Sequence, residues 1–354
     1  MSSSCIDLLA EIVTVPSVSG NEADVSVAIS RWLCRRGISH SSPNGNIVAL
    51  QPAFEPSKKN LVLLAHIDTV APAEGWQRNP FDPGNDPGII YGLGANDDGG
   101  SVVAMLETFC RFCGRKLPFN LMLWLVREEE CSGPNGLRWL LDGKNGMPAP
   151  DLAIVGEPTG LKAATSERGL LVIDGEAVGE SGHAARGDGR NALYTAIDDI
   201  AGLRKHRFGR ISGEMGEVRL NVTQIASGTA HNVIPDRCRF TVDIRPNELY
   251  TPREILDELQ GLCASRLSAR NLRHRASATA ADSPLRRAAA ALRLETFSSP
   301  TSSDWMQLPC DALKIGPGDS ARSHRPDEYI LIDEVEKAVE LYGCFIEKLE
   351  AVLK

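Results

Sequence analysis

The sequence lacks a long apolar run, an excess of basic residues and a regular cysteine framework. Its longest apolar runs, such as 61–65 and 121–126, are far shorter than the ~20 residues that a membrane-spanning helix needs. Lysine and arginine total 38 against 46 acidic residues, and this net charge of −8 argues against a nucleic-acid partner. The first residues carry neither the basic region nor the apolar stretch of a signal peptide. We therefore expect a soluble cytoplasmic protein with no membrane contact.

The nine cysteines are scattered and odd in number, which makes a poor disulfide framework for a chain of 354 residues. Cys110 and Cys113 have the CxxC spacing of redox and zinc sites. They fall, however, in a segment whose apolar residues recur at helical spacing. Reduced cysteines packed in a core are therefore favoured over a redox or zinc pair.

The length of the chain predicts two domains, because a single core stops growing at about 250–300 residues. The first part alternates helical patterns with short apolar runs, as in an α/β sheet covered on both faces. The predicted helices cover 5–13 and 22–36, the predicted strands cover 47–50, 61–65, 121–126 and 152–155, and 80–100 is predicted to be a loop.

After about residue 166 the pattern changes to that of a smaller α+β unit. Strands are predicted over 170–177, 218–225 and 238–244, and helices over 190–205 and 251–270. The chain then resumes the first pattern, with a strand at 312–315 and a long amphipathic helix from about 333. The smaller unit is therefore predicted to be an insertion in the larger domain.

Five segments concentrate metal-ligating side chains, and each lies where a predicted strand ends in a loop. They are AHIDTV, GANDDGG, REEE, GEPT and GPGDSARSH. Open α/β sheets bind ligands beyond the carboxyl ends of their strands. Each segment alone has an ordinary explanation, such as a core histidine, a helix cap or a solvated charge run. Together they supply two histidines and several carboxylates without cysteine, the donors for a pair of divalent ions. A spare glutamate would then serve as a general base.

The order and context of these segments resemble the M20 family of zinc-dependent amidohydrolases and aminopeptidases. AHIDTVAP, GLGANDDGG, EEE, GEPT and the late histidine are similar to its metal-site motifs, and SGHAAR, AHNVIPD and VDIR are similar to its lid motifs. Within the family the chain looks most like the branch of acetylornithine deacetylases, succinyl-diaminopimelate desuccinylases and acetyl-lysine deacetylases, and particularly like its short Bacteroidetes-type members.

The resemblance implies a two-domain architecture. The catalytic domain would be a zinc-peptidase-like α/β domain, with a mixed sheet flanked by helices, over 1–166 and 281–354. An inserted α+β, ferredoxin-like lid and dimerisation domain would occupy 167–280. A homodimer through this lid is expected.

The resemblance also implies a centre for two divalent metal ions, with Zn²⁺ the expected metal and Co²⁺ an alternative. Asp97 would bridge the two ions. The ligands would be His66 and Glu157 on one ion and Glu130 and His324 on the other.

The same resemblance assigns the catalytic groups. Asp68 would orient His66, and Glu129 would take a proton from the attacking water and pass it to the leaving amine. His183, contributed by the lid of a partner subunit, would stabilise the oxyanion. The insertion implied before Gly136 leaves a second register open, in which Glu128 and Glu129 form the working pair.

The implied substrate is an N-acyl amino acid, with N-acetyl-L-ornithine first among the candidates. N-acetylcitrulline, the N-succinyl counterparts, N-acetyllysine, succinyl-diaminopimelate and dipeptides are the alternatives. Substrate contacts would come from Arg168, Asn232, Arg245 and Thr301, although each arginine could instead form an ion pair within the lid. A non-catalytic binding protein would show a broken ligand set, and a nicotinamide-dependent oxidoreductase would need a complete glycine fingerprint. The sequence has neither feature.

Overall fold

The protein is described from a computed structural model that covers residues 4–354. Its helices are α1 Cys5–Val13, α2 Ala23–Arg35, α3 Gly100–Phe112, α4 Leu137–Leu140, α5 Ala192–Lys205, α6 Pro252–Gln260, α7 Pro284–Ala291 and α8 Ile332–Leu353. Its strands are β1 Ile47–Leu50, β2 Asn60–His66, β3 Ile89–Tyr91, β4 Asn120–Val126, β5 Leu152–Val155, β6 Ala163–Glu167, β7 Leu171–Val178, β8 Gly182–His183, β9 Arg219–Ser227, β10 Val233–Ile234, β11 Arg237–Arg245, β12 Arg266–Ala269, β13 Ser277–Ala278, β14 Thr296–Ser299, β15 Asp311–Lys314 and β16 Tyr329–Leu331.

The chain divides into two compact units. The first runs to Thr165 and resumes over Thr279–Phe297 and Ser303–Lys354. The second comprises Ser166–Ala278 and Ser298–Ser302. The sequence-based boundaries, at 166/167 and 280/281, lie beside these, but the short segment Ser298–Ser302 had been expected in the catalytic domain. The segment clusters with the second unit, where its backbone and side chains bond to Arg168.

The first unit is built on a mixed sheet with strand order β1-β4-β2-β5-β15-β6. The central strands β4, β2, β5 and β15 are mutually parallel, whereas β1 and β6 join the two sides antiparallel. Successive residues of β2 and β4 enter different cores. Leu63 and Leu123 pack with α1, α2, α3 and α8, while Leu64 and Trp124 pack in the second core with α4. The prediction of a mixed α/β sheet covered by helices is confirmed.

The second unit contains a four-stranded antiparallel sheet with order β12-β7-β11-β9. Its strands and its helices α5 and α6 follow one another as β7-α5-β9-β11-α6-β12, the βαββαβ arrangement of ferredoxin-like folds. Ile173, Phe240 and Val242 lie in the core that this sheet shares with the two helices. The ferredoxin-like prediction for this unit is therefore confirmed.

Two predictions of local structure were wrong. The helix predicted over 251–270 ends at Gln260, and Arg266–Ala269 forms the edge strand β12. Pairing of β12 with β7 places Leu267 in the core and outweighs the helical pattern, which Gly261 interrupts. The loop predicted over 80–100 contains the short strand β3, because Ile89–Tyr91 pairs with β16, a partner far away in sequence.

Among residues 4–354, no helix is both long and apolar enough to cross a membrane.

The close approach of β7 to the Phe240 ring predicts a stability effect. A Cβ atom added at Gly175 would lie 2.3 Å from the Phe240 ring. Gly175→Ala should therefore lower the free energy of unfolding by about 1–3 kcal/mol, because the packed sheet must shift to admit the methyl group. Urea unfolding followed by circular dichroism measures this change.

Gly202→Ala is the matched control, because Gly202 lies in α5 and a Cβ there would have no neighbouring atom within 4 Å outside the helix backbone. In a helix this change should leave stability equal or raise it by up to about 1 kcal/mol. Equal unfolding midpoints for the two variants would contradict the proposed packing constraint.

Candidate metal centre

The carboxyl ends of the four parallel strands meet at one edge of the sheet. His66 ends β2 opposite Val126, the last residue of β4, and Val155 of β5 lies opposite both Leu64 and Lys314. The residues that follow these strands therefore gather in one place, as they do in open α/β sheets. Four of the five sequence segments reach the edge in this way, from the ends of β2, β4, β5 and β15.

Two histidines and two carboxylates lie in direct contact at this edge. His66 Nε2 is 3.2 Å from Asp97 Oδ1, and His324 Nε2 is 3.0 Å from Glu130 Oε1 and 3.7 Å from Asp97 Oδ2. Asp97 therefore lies between the two histidines, with one oxygen toward each. The donor atoms of His66, Asp97 and Glu130 all lie within 4.8 Å of one another.

The buried Asp68 carboxylate holds the loop after β4. Its Oδ1 accepts a hydrogen bond from the Glu129 N–H at 3.0 Å, and its Oδ2 accepts from the Glu130 N–H at 3.1 Å. Ser19 Oγ donates to Oδ2 at 2.6 Å. The backbone carbonyl of Asp68 bonds His66 Nδ1 at 2.9 Å, which directs Nε2 toward Asp97. One residue thus orients both a histidine and the glutamate pair.

Glu128 faces away from the histidines. Its carboxylate accepts hydrogen bonds from the Asn135 N–H at 3.0 Å and from Asn135 Nδ2 at 2.8 Å, and Arg127 lies 3.5 Å away. Glu128 has a φ of 59°, so the chain turns sharply where β4 emerges. The structure therefore brings Glu130, rather than Glu128, to His324.

Burial without enough positive charge raises the pKa of several acids at this edge. Burial, together with the negative charge of Asp97, raises the pKa of Glu157 well above its usual range. Burial also raises the pKa of Glu129 well above its usual range, with Asp304 and Glu130 adding to the shift. The pKa of Asp98 rises to about 7, chiefly through burial.

The same excess of negative charge raises the pKa values of the two histidines. Although burial opposes it, hydrogen bonds to Asp68 and Asp97 hold the pKa of His66 well above its usual range. The hydrogen bond to Glu130 raises the pKa of His324 to about 8. Two imidazoles cannot neutralise this many carboxylates. Nitrogen and oxygen donors with surplus negative charge fit divalent cations, so the residues present suit the two-ion centre that the sequence implies.

The remaining predicted residues belong to the second unit. His183 of β8 pairs with Val233 of β10, and the Ala184 N–H donates to the carbonyl of Asn232 at 3.0 Å, so His183 and Asn232 are neighbours. His183 is exposed, and its Nδ1 accepts a hydrogen bond from the Ala185 N–H at 3.2 Å. In a neutral imidazole this places the proton on Nε2.

The two arginines are engaged within that unit. The buried Arg168 guanidinium donates to the backbone carbonyls of Met215, Glu217 and Arg245. Arg245 forms a two-bond ion pair with Asp243, at 2.9 and 3.1 Å. Thr301 Oγ1 bonds Ser299 Oγ at 3.1 Å. Contact of these three residues with substrate stays a prediction.

Sequence reasoning missed several polar residues that support the site. Ser19 bonds Asp68, Glu328 bonds the loop that carries Asp97, and Asn96 of that loop bonds Asp319. Asn96 stands next to Asp97 in sequence, and Glu328 follows His324 by four residues. Their proximity to predicted ligands was the available signal. Their hydrogen bonds depend on contacts more than 200 residues apart in sequence.

The fold and the donors around Asp97 are those of a metal-dependent hydrolase. Residues 62–348 match the profile of Peptidase family M20/M25/M40. The match spans most of the chain, so the protein belongs to this family, and the resemblance read from the sequence is confirmed.

Curated relatives of the chain include proteins with two different names. The chain is 27% identical over 381 residues to an acetylornithine deacetylase of Proteus mirabilis, covering 97% of this chain and 96% of the relative. It is 28% identical over 376 residues to a succinyl-diaminopimelate desuccinylase of Xylella fastidiosa, covering 99% of each.

Solved structures of the family share the fold. An M20 metallo-carboxypeptidase of Sulfolobus solfataricus superposes with a TM-score of 0.79 at 17% identity, over 99% of this chain and 100% of that one. A dinuclear metal-binding M20 peptidase of Bacillus subtilis gives a TM-score of 0.73 at 17% identity, over 97% and 96% of the two chains.

The contrasting surroundings of Glu130 and Glu128 predict different effects of removing each side chain. Glu130→Ala should reduce the metal content from two ions to one, because it removes a donor beside His324. Glu128→Ala should keep both ions but lower the free energy of unfolding by about 1–3 kcal/mol, because Asn135 loses its acceptor. Metal analysis after dialysis and urea unfolding measure the two effects. The reverse pattern would assign the working pair to Glu128 and Glu129.

Proposed function

We propose that the protein removes the acyl group from an N-acyl amino acid and that its substrate is N-acetyl-L-ornithine. The products would be ornithine and acetate. The enzyme would act in arginine biosynthesis, in the cytoplasm. Support comes from the family membership, from the names of the curated relatives and from the centre around Asp97. The single observation that carries the proposal is the position of Asp97 between His66 and His324, with Glu130 in contact.

The proposed ligand assignment is the one that the family resemblance implies, and the contacts around Asp97 support it. His66 and Glu157 would hold one divalent ion, Glu130 and His324 the other, and Asp97 would contribute one oxygen to each. Two such ions, with Zn²⁺ the proposed metal, would polarise the scissile carbonyl and lower the pKa of a water molecule.

Glu129 is proposed as the general base and acid. Its backbone N–H is held by Asp68, and the charges of Glu130 and His66 act on its carboxylate. Glu129 would accept a proton from the attacking water and then pass it to the nitrogen of the leaving amine. Asp68 would keep both Glu129 and His66 in place while that proton moves.

His183 is proposed to stabilise the oxyanion. Its exposed imidazole presents Nε2–H as a donor, since Nδ1 accepts from the Ala185 N–H. An N–H donor suits a developing negative charge on the carbonyl oxygen. The proposed substrate contacts are Asn232, which neighbours His183, and Arg168, Arg245 and Thr301.

Glu129 provides the sharpest test of the mechanism. Glu129→Gln should lower kcat by about 10²–10⁴-fold, because the amide cannot carry the proton, while both metal ions are retained. Steady-state assays paired with metal analysis check this. Glu347→Gln, at an exposed glutamate of α8, is the control and should retain full activity. Full turnover by the Glu129→Gln variant would exclude Glu129 as the base.

A panel of substrates separates the candidate reactions. N-acetylornithine, N-acetylcitrulline, N-succinylornithine, N-acetyllysine, succinyl-diaminopimelate and simple dipeptides should be compared by kcat/KM. We expect N-acetylornithine to give the highest value. A higher value for the succinylated compounds would favour the desuccinylase activity named for the second relative, and a preference for dipeptides would favour a dipeptidase.

We further propose that the enzyme is a homodimer formed through the second unit. Strand β9 is an edge of the four-stranded sheet, and its Ile225 is 51% exposed. On α5, Tyr194 is 66% exposed and Ile197 is 47% exposed. An open strand edge beside exposed apolar side chains is typical of a surface that pairs with another chain.

Mixing two inactive variants tests whether His183 acts on the partner's site. His183→Ala and Glu129→Gln are each expected to be inactive as homodimers. A mixed dimer should recover activity, because one of its two sites then holds both an intact Glu129 and the partner's intact His183. Activity measured after subunit exchange, against each variant alone, provides the readout. No recovery in a demonstrated mixed dimer would place His183 at the site of its own chain.

A further inference from the structure

Glu328 is a buried carboxylate with no part in the mechanism above. It is 2% exposed and immediately precedes strand β16. Within residues 4–354, its carboxylate bonds no cationic side chain. Instead, one oxygen, Oε1, accepts hydrogen bonds from the N–H groups of Asn96 at 2.9 Å and of Asp97 at 3.0 Å. A carboxylate spent entirely on backbone donors serves to fix that backbone.

The contact joins two loops that carry proposed metal ligands. Asp97 lies in one loop, while His324 lies four residues before Glu328 in the other. The carbonyl of Glu328 also accepts a hydrogen bond from the Gly92 N–H at 2.9 Å, at the start of the Asp97 loop. Both the side chain and the backbone of Glu328 therefore hold the same loop.

Asn96 ties the two loops together a second time. Its Nδ2 donates to the carbonyl of Asp319 at 3.1 Å and to Ser323 Oγ at 3.2 Å, and its Oδ1 accepts from the Asp319 N–H at 2.9 Å. Gly318, with a φ of 82°, leaves room for this amide, because a Cβ there would lie 2.3 Å from Asn96 Oδ1. Glu328 binds the backbone N–H of Asn96, the residue whose side chain makes these contacts.

Asp68 provides an internal precedent for this arrangement. Its carboxylate accepts the N–H groups of Glu129 and Glu130, two consecutive residues that include a proposed ligand. Glu328 accepts the N–H groups of Asn96 and Asp97, again two consecutive residues that include a proposed ligand. The centre therefore has two buried carboxylates of the same kind, one behind each acidic loop.

We propose that Glu328 is a positioning residue, whose Oε1 fixes the Asp97 backbone and thereby sets the place of the bridging carboxylate relative to His324. The proposal rests on the assignment of Asp97 and His324 as metal ligands. The acceptor position of Oε1, rather than the negative charge of Glu328, is the feature that matters. Loss of the acceptor should weaken metal binding at the ions that Asp97 shares.

Two substitutions separate acceptor position from charge. Glu328→Gln keeps an oxygen at the same reach but removes the charge. Glu328→Asp keeps the charge but withdraws the oxygens by about 1.5 Å, one carbon–carbon bond length. Glu347→Gln and Glu347→Asp make the same changes on the exposed face of α8, where Glu347 pairs with Arg115 at 2.9 Å, and serve as controls.

The experiment is a metal titration of the full-length apoprotein. Co²⁺ binding is followed by its visible absorption, and Zn²⁺ binding by competition with a chromophoric chelator. Glu328→Asp should bind the ions about 10–100-fold more weakly, as is typical when a residue that supports a ligand is changed. Glu328→Gln and both Glu347 variants should bind like the wild type. Thermal unfolding of the apoproteins shows whether the Glu328 variants are folded.

Two results would overturn the proposal. Wild-type affinity of a folded Glu328→Asp variant would show that the acceptor position is unimportant. Weaker binding by Glu328→Gln than by Glu328→Asp would assign the effect to charge instead. The titration needs no substrate, so failure of the protein to hydrolyse any N-acyl amino acid would refute the proposed function and leave this readout intact.

Discussion

The structure depends on one electrostatic constraint, the gathering of several buried carboxylates at the carboxyl edge of a parallel sheet. Burial disfavours their ionised forms, and neighbouring negative charges add to that effect, so the pKa values of Glu129 and Glu157 lie well above the usual range. His66 and His324 relieve only part of the imbalance. Divalent cations would relieve the rest, and this would explain why so many acids converge at one edge of the sheet.

The parallel sheet brings these carboxylates together at one edge. Parallel strands place their ends at a common edge, and both faces of the sheet are covered by helices and apolar side chains. The proposed ligands therefore lie at the end of a strand, as His66 does, or on loops that leave the sheet. Those loops are in turn held by carboxylates that accept backbone N–H groups, Asp68 behind one loop and Glu328 behind the other. Rigid strands alone would leave the loops free to separate the donors.

Local patterns predicted much of the fold. The strand over Leu152–Val155 and the helix over Cys5–Val13 have the predicted bounds, because each is a short periodic segment with clear turn residues beside it. The helix expected over 251–270 failed because the final residues gain more from pairing with β7 than from continuing a helix. Strand β3 was missed for a related reason, since its partner β16 lies more than 200 residues away.

The family, the two-part organisation and the candidate donors could be predicted from the sequence. His66, Asp97, Glu157 and His324 each lie in a short motif that can be recognised without the fold. The fold alone showed which of the three glutamates lies beside His324, and it alone showed the backbone contacts of Glu328. Three consecutive glutamates look alike in sequence, whereas the turn after β4 directs Glu128 toward Asn135 and Glu130 toward the histidine. Contacts across more than 200 residues leave no local pattern, because they arise from the register of the strands that bring the loops together.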